Sequence, residues 1–312
     1  MAFQNEEPFD LQRIQKEFNI SSNKIRRCGL SEAELKEIYD NYTASIHHLR
    51  DLRTELMSVL NSELPDKIHS VRGRIKAPDH LIEKIIRNKF KNPKKYGKLN
   101  IDNYNKLITD LVGFRIIILD KRDWRVVHNA LLEIFQNLPE RYAVKSSDLI
   151  SNYDQYVPKE DFLKNSYHAE KPVVYLTGAD DVKLYEDPFL NTDRSKLHYR
   201  SLHYIIRYSD IYFEIQVRTL FEEGWLEFDH RIKYPYDQNN KKKDEFLSIL
   251  NSLVTAADRL IAFYDENSFQ TDDDKEPDNV SETADTTIQE VDTGSNEPKS
   301  LRNKLTSIYY GR

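Results

Sequence analysis

Four polar residues alternate along one short stretch: Tyr212, Glu214, Gln216 and Arg218. Between them stand Phe213, Ile215, Val217 and Thr219. A β-strand sends successive side chains to opposite faces, so a carboxylate, an amide and a guanidinium line up on one side of this strand. A carboxylate in such a row accepts a proton or a cation, and the guanidinium beside it offsets negative charge. An ordinary half-exposed strand alternates in the same way. Two further sets of residues carry the same chemistry. Asp110 stands just ahead of the run Phe114-Arg-Ile-Ile-Ile-Leu119, at a strand's mouth, where a metal ligand or a plain turn aspartate is placed. Arg74, Lys76, Lys84 and Arg87 are spaced to converge on one anion, or to form a solvated basic face.

The elements that position these groups follow from periodicity. After the Ile211 strand, Phe221, Trp225, Phe228 and Ile232 recur at helical spacing and predict an apolar stripe packed on that strand. A hairpin is predicted from Tyr199–Arg207 through a turn at Ser209-Asp210 into the same strand. The apolar continuity of FRIIIL suits a central strand, with a helix over Val126–Leu138 behind it. Val71–Lys76 reads as a short strand, and Pro78-Asp79 as the start of a helix with Ile82, Ile85, Ile86 and Phe90 on its apolar side. Lys91–Lys98 is a basic loop. Ser31 and Glu34 have capping-box spacing and open a long amphipathic helix from Leu35 to Leu56. His47 and His48 are adjacent on it and face different ways, so they are not a metal pair. Phe246, Ile249, Leu250, Leu253, Ala256, Ala257, Leu260, Ile261 and Tyr264 predict a last amphipathic helix.

These elements imply four segments. Residues 1–30 read as a flexible arm. Residues 31–266 form an α/β (α+β) domain, with an insertion at about 139–196 whose only strand-like run is Val173–Leu176. Residues 267–300 are an acidic linker with the composition of disorder, a dozen carboxylates between Asp265 and Pro298 against the single Lys275. Residues 301–312 are a short basic, aromatic tail.

The 312-residue chain carries a net charge of −6, most of it in that linker, so its acidity does not argue against a phosphate-bearing ligand. Cys28 is the single cysteine, which excludes a disulfide framework and a cysteine-rich zinc site. The N-terminus lacks a secretory pattern, and no run is read as long and apolar enough to span a bilayer. A cytoplasmic protein with no membrane partner is expected.

Four blocks, RGRIKAPDHLIEK, ITDLVGFRII, HYRSLHYII and EIQVRTLFEEGWLEFDHRIKY, resemble in order and content the synthetase domain of the RelA/SpoT family, particularly its small single-domain members. The resemblance spans roughly Arg72–Asp265 apart from the insertion. It implies a nucleotidyltransferase-like mixed sheet flanked by helices. It also implies transfer of the β,γ-pyrophosphate of ATP to the ribose 3′-hydroxyl of GDP or GTP, with Mg2+ and release of AMP. Carried over by position, Arg74, Lys76 and Lys84 contact ATP, and Asp110 and Glu214 are catalytic and hold the metal. Tyr199 stacks on the acceptor base, and Arg115, Ser201, Gln216, Arg218 and His230 complete the nucleotide site. Leu197 and His198 stand where the family has an asparagine-glycine pair, which leaves tRNA 3′-ends or adenine nucleotides as alternative acceptors. An inactive nucleotide-binding regulator is a further alternative, as is a homo-oligomer.

Overall fold

Strands form where the side chains alternate or run apolar, and helices where apolar residues recur every three or four positions. The computed structural model describes residues 8–135, 168–178, 180–195, 198–208, 211–233 and 240–266. Their helices are α1 (Leu11–Glu17), α2 (Ser22–Cys28), α3 (Glu32–Glu63), α4 (Pro78–Lys91), α5 (Pro93–Tyr96), α6 (Tyr104–Leu107), α7 (Trp124–Ile134), α8 (Leu220–Lys233) and α9 (Lys241–Glu266). The strands are β1 (Ile68–Ile75), β2 (Val112–Ile118), β3 (Val173–Leu176), β4 (Asn191–Arg194), β5 (Ser201–Tyr208) and β6 (Ile211–Thr219).

The sheet order is β1-β2-β6-β5-β3-β4. β2 runs parallel to β6 and β3 to β4, while the remaining neighbours are antiparallel. This is the expected mixed sheet flanked by helices. Its core face carries Phe114, Ile116 and Ile118 of β2, Phe213, Ile215 and Val217 of β6, and Leu202, Tyr204 and Ile206 of β5. Trp124, Val127 and Leu131 of α7 and the buried stripe of α3, from Leu35 to Leu60, close over the same core. Gly73 lets β1 approach α3: a Cβ there would stand 2.9 Å from Met57 and 3.0 Å from Phe114. With both long elements on one side, the opposite face keeps its polar residues.

The capping box of Ser31 and Glu34 forms as expected, and the Val173–Leu176 strand and the β5–β6 hairpin are present. Several expectations change. The arm expected over 1–30 holds α1 and α2: α2 docks through Cys28, and α1 through Leu11, Ile14 and the capping Phe18. These few apolar residues all share one side of their helix, so a sparse sequence still anchors it. Arg13 pairs with Asp79 at 2.5 Å, and Phe18 packs edge-on against His80. β4 has no apolar alternation and was not foreseen. The stripe expected on α8 is only partly inward: Trp225 is buried, whereas Phe228 is 49% exposed. Glu222 and Glu223 are buried instead, because Lys121, Arg115 and Arg218 neutralise them. α9 turns Leu247, Asn251 and Asp258 inward and leaves most of its apolar residues outside. By length and composition Lys241–Tyr264 suffices to cross a membrane, which corrects the reading that no run does. Residues 136–167, which hold half of the expected insertion, lie outside the described residues, as do Leu197, the Ser209-Asp210 turn and the whole of the linker and tail.

Candidate active site

Strand register assembles the polar face. Glu214 pairs with Gly113 of β2 and Ile205 of β5, and Gln216 pairs with Arg115 and His203. Arg72 and Arg74 of β1 pair with Arg115 and Gly113. Paired residues point to the same side of a sheet. Arg72, Arg74, Arg115, Glu214, Gln216, Arg218, Ser201, His203 and Tyr175 therefore share one face. Gly113 leaves the floor between Arg74 and Glu214 open, since a Cβ there would meet Arg74 Nε at 3.6 Å.

Asp110 closes one end of this face. It lies just before β2 and receives Lys76 Nζ at 2.8 Å from the end of β1 and Lys84 Nζ at 2.7 Å from α4. Tyr42 of α3 fixes the Lys76 backbone by donating to its carbonyl at 2.6 Å. Burial would raise the Asp110 carboxyl, but the two ammonium groups outweigh it and hold it at about 2. Burial also lowers Lys76, which is crowded by Lys84 and Arg74. Both lysines sit on Oδ2, while the buried Oδ1 has no hydrogen-bond partner among the described residues.

Glu214 occupies the middle of the face. Gln216 Nε2 donates to its Oε2 at 2.6 Å, and His203 Nδ1 contacts its Oε1 at 2.9 Å. Burial would raise this carboxyl, but His203 keeps it below its ordinary value, with Lys84 adding to the effect and Asp110 opposing it. The two carboxylates thus lie within each other's field. Arg218, 2% exposed, donates to Glu223 at 2.8 Å, to Tyr199 Oη at 2.8 Å and to Gln216. Tyr199 Oη also lies 2.7 Å from His203 Nε2. With Arg218 as donor, the Tyr199 hydroxyl hydrogen is left for Nε2, and the imidazole hydrogen falls on Nδ1, facing Glu214. A continuous chain of hydrogen bonds therefore runs from Arg218 through Tyr199 and His203 to Glu214.

The residues expected from the sequence divide into three groups. Asp110, Lys76 and Lys84 form one ion cluster, and Glu214, Gln216, Arg218 and Tyr199 form the hydrogen-bonded row. Arg74 is exposed beside Gly113, with no hydrogen bond or ion pair among the described residues. Arg115 is tied to Glu223 at 2.6 Å and Glu227 at 2.8 Å. Ser201 is buried, with its hydroxyl toward the Val217 carbonyl at 3.4 Å, and so lies under the site. His230 lies at the surface on the last turns of α8, where partial desolvation by the surrounding protein and next the nearby Arg115 lower its pKa. Tyr199 presents its ring to the Arg218 guanidinium, 5.4 Å from the centroid, and meets Tyr175 edge-on. His203, Glu223 and Tyr175 were not singled out from the sequence. The parity of β5 places His203 with Ser201 and would have found it, but glutamates on a helix read as solvated.

Magnesium takes one or two carboxylates and fills its remaining positions with water and phosphate oxygens. Asp110, with an unpartnered buried oxygen, and Glu214, in the same field, suit such an ion. Among the described residues no cluster of three or more His, Cys, Asp or Glu forms a closed metal cage.

A search of curated proteins finds no match. Similar solved structures include the small alarmone synthetase 1 from Bacillus subtilis, at 17% identity and TM-score 0.49 over 74% of this chain and 100% of that one. A GTP pyrophosphokinase family protein from Streptococcus pneumoniae has 16% identity and TM-score 0.44, over 77% of this chain and 96% of that one. The Bacillus subtilis synthetase 1 bound to its product pppGpp aligns at 16% identity and TM-score 0.42, over 70% and 91% of the two chains. The family described as the region found in RelA / SpoT proteins matches residues 73–239. That span covers more than half of the chain and holds every residue of the ion cluster and of the hydrogen-bonded row, so the chain belongs to the RelA/SpoT family.

Proposed function

We propose that this chain is an ATP:nucleotide 3′-pyrophosphotransferase that makes (p)ppGpp-type alarmones from ATP and GDP or GTP. One observation carries the reading. A bonded carboxylate, Glu214, lies in the field of a second one, Asp110, while Arg72 and Arg74 stand exposed on the same sheet face. Pyrophosphoryl transfer asks a protein mostly for positioning and charge neutralisation.

Arg74, Lys76 and Lys84 take the ATP phosphates. Both lysines are bound to Asp110. An incoming triphosphate competes for the same ammonium groups, so phosphate binding and the freeing of Asp110 are one event. A magnesium ion held by Asp110 and Glu214 would neutralise charge on the triphosphate. The acceptor base rests against Tyr199, whose face also attracts Arg218, and its ribose approaches Glu214. The acceptor 3′-oxygen bonds to the β-phosphorus, the bond from that phosphorus to the α,β-bridging oxygen breaks, and AMP leaves with that oxygen. The hydroxyl proton passes to the Glu214 carboxylate, a general base held within hydrogen-bond reach of its neighbours.

One observation favours a second acceptor class. Lys91, Lys94, Lys95 and Lys98 are all exposed beside α4 and would suit the phosphates of a tRNA end. Incubation with γ-labelled ATP and, in parallel, GDP, GTP, ADP, AMP and tRNA separates the readings. Label is expected on the 3′-position of GDP or GTP. Label on tRNA alone, or label on no acceptor, would reject the alarmone assignment.

A further inference from the structure

β4 adds a carboxylate to the outer end of the polar face. Its residues, Asn191–Arg194, run along the sheet edge beside β3. The register pairs Asp193 with Tyr175, and Tyr175 with Ser201 of β5. Paired residues share a side of the sheet, so Asp193 lies on the face of Glu214, Gln216 and Arg218. Tyr175, Tyr199 and His203 form an aromatic group between Asp193 and Glu214. Tyr175 meets His203 edge-on at 4.9 Å between centroids, and Tyr199 at 5.8 Å. The Tyr175 hydroxyl is pushed up to about 12, by burial first and next by the Asp193 carboxylate, with Tyr199 and then Glu214 adding to it. One hydroxyl thus lies in the fields of both carboxylates. The Tyr199 amide donates to Ser195 Oγ at 3.1 Å, which ties this tyrosine to the end of β4. His198 before it holds φ 62°, the left-handed conformation that a glycine would supply. The turn that delivers Tyr199 is therefore made without glycine, while Leu197 ahead of it has an apolar side chain.

We propose that Asp193 selects guanine in the acceptor, by accepting the N1 and N2 hydrogens of the base on its two carboxylate oxygens. The assignment rests on the transferase reading, which lays the acceptor base against Tyr199 and brings its ribose to Glu214. The 3′-hydroxyl and the Watson–Crick edge are opposite ends of a nucleoside. β6 and β4 are three strand spacings apart, about 14 Å. With the 3′-hydroxyl toward β6, the base edge is directed to β4, where Asp193 is the one carboxylate of the strand. Guanine carries two donors on that edge, N1–H and the 2-amino group. An ionised carboxylate accepts both, one on each oxygen. Adenine turns the lone pair of N1 toward the same carboxylate, and the two repel. Stacking on Tyr199 accepts any base, so discrimination falls to the group that meets the base edge. Asp193 is exposed and stands where a base can reach it from solvent.

Calorimetric titration of the full chain, with the place of ATP taken by α,β-methylene-ATP, compares GDP, IDP and ADP. IDP differs from GDP only in lacking the 2-amino group. The parent should bind GDP about tenfold or more tighter than either, the loss expected when a hydrogen bond to a charged group is removed. Asp193→Ala should weaken GDP by about ten- to a hundredfold and bring GDP and IDP level. Its melting temperature should match the parent's, because the side chain is exposed. An Asp193→Ala chain that keeps the parent's preference overturns the proposal, and so does a parent that binds the three alike or binds none. Transfer of label from γ-labelled ATP is scored separately. Transfer to GDP, with the preference intact in Asp193→Ala, removes Asp193 as the reader and leaves the transferase reading standing. A preference lost in Asp193→Ala, with no transfer to any acceptor, keeps the guanine contact and removes the transferase reading.

Discussion

Glu214 takes hydrogen bonds on both carboxylate oxygens, from Gln216 on one side and His203 on the other. A carboxylate held this way keeps its geometry while its proton affinity is set by its neighbours. Glu214→Gln keeps the shape and removes the base. Turnover should fall by roughly 10²–10⁴-fold, the usual range for a general base, with nucleotide affinity by calorimetry near that of the parent. Turnover within a few-fold of the parent would mean that the proton leaves by another route. His203 acts on the substrate through Glu214, and its test is a pH profile. Burial and Asp110 both push the Glu214 carboxyl up, and His203 is the leading group that opposes them. In His203→Gln the carboxyl therefore rises, and the acid limb of the pH–turnover profile should move to higher pH. A profile of parental shape but lower height would make His203 a packing residue only. Glu214, Gln216 and Arg218 are legible in the sequence because strict alternation fixes their face. The face of His203 is legible from the parity of β5, but its partner Glu214 depends on the register that sets it opposite Gln216.

At the scale of the element, the site rests on what the strands leave out as much as on what they supply. Gly113 sits between Arg74 and Glu214, and its missing side chain is what keeps the floor open. Its Cβ would meet Arg74 at an ordinary van der Waals distance. Gly113→Val should thus fold with a melting temperature within a few degrees of the parent's. The branched side chain stands where the proposed function puts the phosphates, so ATP affinity should drop by about tenfold or more, about 1.4 kcal/mol at the least. Unchanged ATP affinity would move the phosphates off this face. The β-elements other than β4, and α3, are legible from periodicity alone, down to the capping box. The two C-terminal helices are less so. On α8 the inward positions hold Glu222 and Glu223, and no apolar count anticipates carboxylates buried against Lys121, Arg115 and Arg218. On α9 the apolar stripe is visible in the sequence, but which way it faces is decided by Arg200, far off in the chain.

For the molecule as a whole, the region where α8 and α9 meet the sheet is a buried polar knot. Arg200, 4% exposed, donates to Asp180 at 2.8 Å and to Asn251, Thr177 and Thr255, while Lys121 spans Asp180 and Glu222. Asp258 is buried at its edge, and neither carboxylate oxygen meets a hydrogen-bond partner among the described residues to offset its desolvation. Burial, and next the charge of Glu222, raise its carboxyl from 3.8 to about 7. Thr219, Lys121 and Arg200 pull the other way and are outweighed. A raised carboxyl binds its proton more tightly in the folded state than in the unfolded one. Its contribution to stability is therefore fully present below the unfolded pKa, and is lost as pH rises through about 7. Asp258→Asn keeps the shape and cannot ionise. At pH 3, below the ordinary value of 3.8, parent and variant should melt together, because Asp258 is then largely protonated in the folded and the unfolded chain alike. Near pH 8 the variant should be the more stable by several kcal/mol, about 1.4 kcal/mol for each unit by which the carboxyl is raised, and its melting temperature higher by about 2–4 °C for each of those kcal/mol. Thermal melts across this range decide the point. A variant destabilised equally at both values would show that Asp258 is ionised and paired in the folded protein, with the charges of the knot arranged around it.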